Sequence, residues 1–214
     1  MRFDREGKLA GKVGSKGRGP GEYAFCFNYS VDAISGTVVI MDAGVIRVYS
    51  ETGRFIRNID FREYGESADV IEFFYSNIFI SCHPQFGGDK YDWIVLDTLG
   101  NLVESKERSL PEFNCNDLVG GGIYKYNERI YSWNPWSDTI FSISPDFILK
   151  PSFVIGPGEH RLPRENFLRL EDIKLYYKPY LILESDDYIF TRYYYDNDLI
   201  IAVIDKETKT SYST

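Results

Sequence analysis

The residues able to bind or react are few and scattered. His83 and His160 are the two histidines. Neither stands in an HExxH run or has a partner at the i, i+4 spacing of a helical zinc site. Cys26, Cys82 and Cys115 form an odd set without a CxxC pair, so they read as ordinary thiols rather than a zinc or disulfide framework. There is no Gly-x-Ser-x-Gly elbow, and no cysteine has a convincing histidine partner. No catalytic residue, metal ligand or cofactor is expected. Carboxylates are numerous, among them Asp42, Asp69, Asp92, Asp97, Asp117, Asp138, Asp186 and Asp187. Most fall at or near expected strand ends, where aspartate hydrogen-bonds its own backbone in turns. Asp186-Asp187 would contact calcium or a glycan only with partners from neighbouring elements.

The densest candidate cluster is aromatic. Trp133-Asn-Pro-Trp136 places two indoles on a strand-end turn, and Tyr176-Tyr177 and Tyr193-Tyr-Tyr195 add phenols. Trp133, Trp136, Tyr177 and Tyr194 are the candidate ligand contacts, because large aromatics stack on sugar rings and anchor peptides. Packing between sheets is the competing reading for all four. Arg47 is the candidate cation, although its place between Ile46 and Val48 on a strand also fits a stem packed along the surface.

Gly14-Ser-Lys-Gly-Arg-Gly-Pro-Gly-Glu-Tyr23 resembles a phosphate cradle in composition only. A P-loop joins a strand to a helix through GxxxxGK[ST], and here Pro20 follows with no helix. Gly156-Pro-Gly-Glu159 repeats the core of the segment about three repeat lengths later. That spacing points to a crossover between sheets.

The elements that must position these residues come from an internal repeat. Phe3-Asp-Arg-Glu-Gly-Lys-Leu9, Tyr49-Ser-Glu-Thr-Gly-Arg-Phe55 and Leu96-Asp-Thr-Leu-Gly-Asn-Leu102 share one pattern: an apolar residue, a turn tetrad ending in Gly, then a polar and an apolar residue. Ile143–Leu149 and Ile204–Thr210 are fainter copies, with Phe147 and Thr208 in the glycine slot. The period is about 46 residues, a length at which propeller blades repeat. Short runs rich in β-branched and aromatic residues flank each copy: 37–41, 45–49, 55–59, 78–82, 93–97, 129–133, 139–143, 180–184, 188–194 and 199–205. Turns are expected at Ser76-Asn77, Asn127-Glu128, Asp186-Asp187 and Asp196-Asn197-Asp198. About four strands per unit predicts an all-β fold, a β-propeller of four-stranded antiparallel blades. The blades fall near 1–20 (a half), 21–66, 67–114, 115–156 and 157–214. An insertion near 160–179 includes a possible helical turn at 162–174, and Lys174–Tyr180 is expected at the lip of a binding surface.

Composition narrows the function. The 214 residues carry 24 Lys and Arg against 32 Asp and Glu, a net charge of −8. That disfavours nucleic acid, since such binders gain most of their affinity from cations on phosphates, and Lys12–Arg18 is too short a basic run to offset it. With 16% aromatic residues a packed core is assured. No apolar run approaches the 18 residues of a membrane span, so no membrane insertion by this chain is expected.

Phe3-Asp-x-x-Gly-Lys-Leu-x-x-Lys-Val-Gly, the following Gly-x-Gly-Pro-Gly-Glu-Tyr23, Val38–Asp42 and Ile46–Ile56 together resemble the NHL-type repeat. More closely they are similar to a family of bacterial six-bladed β-propellers, many of them exported or lipid-anchored. The resemblance implies a propeller and assigns no chemistry. Amidating lyases of NHL type use several metal-bound histidines, which two cannot supply. About four and a half blades fall short of six, which favours a partial propeller. The compartment is then expected to be periplasmic or cell-surface if an N-terminal signal is missing, and cytoplasmic if the chain is complete. The expected function is a non-enzymatic module presenting propeller loops to a protein, peptide or glycan. A lyase or hydrolase using the central channel is the alternative.

Overall fold

The structure is a computed structural model that describes the chain except residues 65–67, 83–89, 109–120, 135, 157 and 163–172. Every regular element among the described residues is a β-strand or a short 3₁₀ turn. Four sheets are four-stranded antiparallel meanders in which neighbours in sequence are neighbours in space. The first contains β5 (Asn28–Val31), β6 (Val38–Asp42), β7 (Val45–Tyr49) and β8 (Phe55–Asp60). The second contains β9 (Ala68–Phe74), β10 (Asn77–Cys82), β11 (Tyr91–Leu96) and β12 (Leu102–Glu107). The third contains β13 (Gly122–Tyr126), β14 (Arg129–Trp133), β15 (Thr139–Ile143) and β16 (Leu149–Val154). The fourth contains β17 (Lys178–Glu184), β18 (Tyr188–Tyr195), β19 (Asp198–Asp205) and β20 (Ser211–Ser213). Ahead of them lie a hairpin of β1 (Arg2–Phe3) and β2 (Leu9–Gly11) and a short parallel pair, β3 (Ser15–Lys16) and β4 (Glu22–Tyr23). This is the blade architecture of a β-propeller.

The repeated tetrad forms the same turn each time. The first residue's N–H donates to the carbonyl four or five residues on, at Asp4, Ser50, Asp97, Ser144 and Asp205. In each copy the side chain of that residue accepts a backbone N–H from the turn it opens. The short polar side chain thus closes the turn from inside. The slot that must lie at positive φ is filled by Gly7, Gly53 and Gly100 in the strong copies and by Phe147 in the fourth. In the fifth it is Lys209, one residue beyond Thr208, because that turn is one residue longer. Ala43-Gly44, Tyr75-Ser76, Asn127-Glu128 and Asp196-Asn197 each have two consecutive positive φ values, the geometry of a two-residue hairpin. The second of these lies one residue earlier than its composition indicated, since Asn77 already pairs in β10.

The chain divides into two compact units, one holding β1–β12 and the other β13–β20. In the first, β5–β8 packs on β9–β12 through Val39, Met41, Ile46, Ile71, Ile80 and Ile94. The Ser30 hydroxyl on β5 donates to Glu72 at 2.9 Å and accepts the Phe73 N–H at 3.0 Å, stitching the two innermost strands. In the second, Tyr124, Tyr131, Trp133 and Ile140 pack on Ile182 and Ile189. There the Tyr124 hydroxyl donates to the buried Glu184 at 2.9 Å, and Lys206 neutralises Glu184 at 2.6 Å.

The 162–174 reading falls mainly on residues outside those described, as do His83, Cys115 and Asp117. Ile173–Leu175 forms a single 3₁₀ turn.

Candidate aromatic cleft

The glycine-rich segment already holds its own anion. Gly19 donates its N–H to a Glu22 carboxylate oxygen at 2.8 Å, and the Ser15 hydroxyl donates to the other oxygen at 3.3 Å. A Cβ at Gly17 would stand 2.0 Å from that carboxylate, so glycine is required for Glu22 to fold back. The loop is a crossover, in which the Gly19 amide is turned on Glu22 and the Gly17 amide on the Tyr23 carbonyl. Glu22→Ala is expected to lower stability by about 1–2 kcal/mol, the cost of leaving the donors to Glu22 unmet. Faster hydrogen exchange at the Gly19 amide would show it.

Asp42 fixes the exit of the same crossover. Its carboxylate accepts the N–H groups of Ala24 at 2.9 Å and Phe25 at 3.1 Å, and the Arg47 guanidinium contacts it through Nε at 3.0 Å and Nη2 at 2.9 Å. Burial opposes ionisation of Asp42, and these backbone and guanidinium hydrogen bonds outweigh it, holding the carboxyl below its ordinary value. Arg47 also donates to Asn58 at 3.3 Å. Its cation is engaged in holding a loop.

The remaining candidates lie in the second unit. Trp133 ends β14 with its indole in the core, and Trp136 is buried in the following turn, where its backbone N–H donates to Asn134 Oδ1 at 3.0 Å. Arg161 ties this turn down by donating to the Trp136 carbonyl at 3.2 Å and pairing with Asp138 at 3.0 Å. Trp133 and Tyr177 meet at a void of about 20 Å³, room for about one water.

Tyr177 also faces a larger cleft of about 290 Å³ between the segment after β16 and one face of β17–β20. Its walls are His160, Tyr177, Tyr193 and Tyr195, with Thr191 and Ser211 as polar points. Tyr177 and Tyr193 meet at 4.6 Å between ring centroids, and the His160 and Tyr195 rings stand edge to face at 4.9 Å. The Tyr177 N–H donates to the His160 carbonyl at 2.7 Å, which joins the two sides of the mouth. Tyr177 shares a hydrogen bond of 3.1 Å with the Thr191 hydroxyl. Burial pushes the Tyr177 phenol up to about 12, so it stays neutral and polar.

Tyr194 points the other way, toward Tyr180 at 6.0 Å. Sequence reasoning missed His160, Tyr193 and Tyr195. For the tyrosines a usable signal existed: Ile189 faces the core, and alternation along β18 carries Thr191, Tyr193 and Tyr195 on the same face. His160 reaches the cleft through the Gly158–His160 turn, for which composition offers no pattern.

The cleft can stack flat apolar groups and supply phenol, hydroxyl and imidazole hydrogen bonds. Among the described residues no carboxylate lines it. Asp186 is engaged by the Tyr126 hydroxyl at 2.5 Å. Among the described residues no group of three or more His, Cys, Asp and Glu is placed to hold a metal ion. No described helix is long and apolar enough to cross a membrane.

The model of the domain of unknown function DUF4934 matches residues 1–214. No curated protein matches the chain. Among solved structures, a presumed exported protein of Bacteroides fragilis is similar with a TM-score of 0.76 at 19% identity, covering 99% of this chain and 64% of its own. The chain therefore spans less than two thirds of that protein. A DUF4221 family member from Bacteroides vulgatus gives a TM-score of 0.65 at 13% identity, over 99% of this chain and 73% of its own. A virginiamycin B lyase of Staphylococcus aureus, solved in an inactive form with quinupristin, gives 0.51 at 13% identity, over 87% and 54%. At these identities the likeness is one of fold.

Proposed function

This chain belongs to the DUF4934 family, and from that membership together with the cleft we propose that it is a non-enzymatic binding module. It grips a glycan ring or a flat side chain of a peptide or protein between Tyr177 and Tyr193, with His160 and Tyr195 at the mouth. The observation carrying this reading is the lining itself: three phenols and an imidazole around about 290 Å³, with hydroxyls and, among the described residues, no carboxylate. A site of that composition offers stacking surface and neutral hydrogen bonds. Among the described residues that line it there is no pair of acid and base of the kind a hydrolytic centre uses.

The same reading takes the chain as part of a six-bladed, NHL-like propeller of an exported bacterial protein. The similarity to a presumed exported protein supports export. The repeated tetrad and its conserved turn geometry support the NHL-like assignment.

Arrays of glycans and peptides probed with the chain, followed by calorimetry on each hit, test the function. Tyr193→Ala and Tyr177→Ala are expected to weaken the bound hit by more than about tenfold, the loss typical of a buried aromatic anchor. Binding untouched by both substitutions, or turnover of the bound compound, would sink the proposal.

A further inference from the structure

The cleft beside Tyr177 is selective in what its walls offer a ligand. Among the described residues, no Asp, Glu, Asn, Gln, Arg or Lys lines it. A sugar ring exposes several adjacent hydroxyls, and each one taken out of water without a partner weakens binding. The planar carboxylates, amides and guanidinium groups that meet two such hydroxyls at once are not among the described lining. A charged ligand fares worse, because a charge taken out of water without a counter-charge loses far more hydration than the site returns. The cleft therefore favours an uncharged ligand with an apolar body.

Its polar points are mainly hydroxyls. Those of Tyr177 and Thr191 are bonded to each other at 3.1 Å. The phenols of Tyr193 and Tyr195 and the hydroxyl of Ser211 make no hydrogen bond among the described residues. Each of these three can donate to a ligand. Ile155, Ala202 and Ile204 supply apolar lining between them. The rings are inclined to one another, Tyr177 to Tyr193 by 47° and His160 to Tyr195 by 69°. Rings set at such angles frame a trough, which seats a compact ring.

Resting on the reading of this cleft as a binding site, we propose that its ligand is a proline-rich peptide segment in the polyproline II conformation. Proline joins an apolar ring to a backbone position without an N–H, so it brings no donor that the cleft must satisfy. The carbonyls of such a segment have no hydrogen bonds within the helix and stay open to outside donors. The free hydroxyls of Tyr193, Tyr195 and Ser211 are donors of that kind. The volume of about 290 Å³ is at the small end of ligand pockets, suited to ring contacts along an extended chain. Stiffness favours the same ligand, since a polyproline segment is already in its bound conformation and loses little freedom when an aromatic-lined groove takes it up.

Calorimetric titration with acetylated, amidated octaproline tests this, beside an octapeptide of alternating Gly and Ser and beside cellohexaose. Octaproline is expected to bind with a dissociation constant below about 1 mM, at least about tenfold tighter than either control. Tyr193→Ala is expected to weaken it at least about tenfold. Tyr195→Phe removes one oxygen and keeps the ring, and should weaken it about threefold to tenfold, the worth of one hydrogen bond. Unchanged melting temperatures verify that the variants keep their fold. Tyr212→Ser, on the opposite face of β20 from Ser211, should leave binding as it is. Octaproline that fails to bind at that concentration overturns the proposal, as does octaproline binding that survives both Tyr193→Ala and Tyr195→Phe. Cellohexaose or another array hit that binds in place of octaproline, and is lost with Tyr193→Ala, overturns the proposal while leaving the cleft a binding site.

Discussion

Asp42→Ala is expected to destabilise the β1–β12 unit by about 3–5 kcal/mol, the range for removing one member of a buried ion pair. The carboxylate is 3% exposed and the Arg47 side chain 19%. Deleting it strands a guanidinium and two backbone N–H groups that held the exit of the glycine-rich crossover. Asp42→Asn keeps one oxygen for an amide and is expected to lose less. The pH dependence has a definite sign. The folded carboxyl titrates below its ordinary value of 3.8. Its contribution is therefore complete above about pH 4 and disappears as pH falls through the folded value. Urea midpoints from pH 7 down to pH 3 should fall more steeply for the wild type than for Asp42→Ala. Parallel curves would show that Asp42 is not the group responsible.

Gly53→Ala is expected to cost more than about 3 kcal/mol, whereas Gly7→Ala, the same change in the same turn of another repeat copy, should cost about 1–2 kcal/mol. Both glycines sit at positive φ, Gly53 at +84° and Gly7 at +81°, so a side chain at either is forced into the left-handed region. At Gly7 a Cβ meets nothing within 4 Å. At Gly53 it would lie 2.1 Å from the Lys12 carbonyl oxygen and 3.1 Å from the Val13 Cα. Relief there means moving backbone, which shifts the crossover on its way to Glu22. Thermal unfolding of the two variants side by side separates conformational strain from collision. Equal losses would mean that the approach of residues 12–13 to this turn contributes nothing.

Most of the fold was legible because it repeats. Val45–Tyr49, Arg129–Trp133 and Thr139–Ile143 form strands with the bounds their composition indicated, the runs at 55–59, 78–82, 180–184, 188–194 and 199–205 gain a residue or two, those at 37–41 and 93–97 shift to Val38–Asp42 and Tyr91–Leu96, and β5, β9, β12, β13, β16 and β20 form where no run was expected. Errors occur where a turn changes length, as at Lys209, or where pairing decides between adjacent residues, as at Tyr75-Ser76. The site was less legible. Tyr177 could be picked out from an aromatic segment beside an enlarged interval, but Trp133 and Trp136 show that an aromatic-rich turn is equally good core. Tyr194 was preferred to its neighbours because composition ignores which face of a strand a residue occupies. The Asp42–Arg47 pair joins residues five apart on adjacent strands, and its purpose appears only once the 24–25 backbone is seen to end on it.

Because the opening Asp or Ser of each repeated turn is also its cap, every outer hairpin carries the instructions for its own register within about seven residues. Gene duplication and recombination then act on a unit whose pairing does not have to be renegotiated with distant sequence. Relatives of different length can arise by gaining or losing whole sheets, with nearest-neighbour packing as the remaining condition. Selection is left free to vary the segments between sheets, which is where the cleft opens.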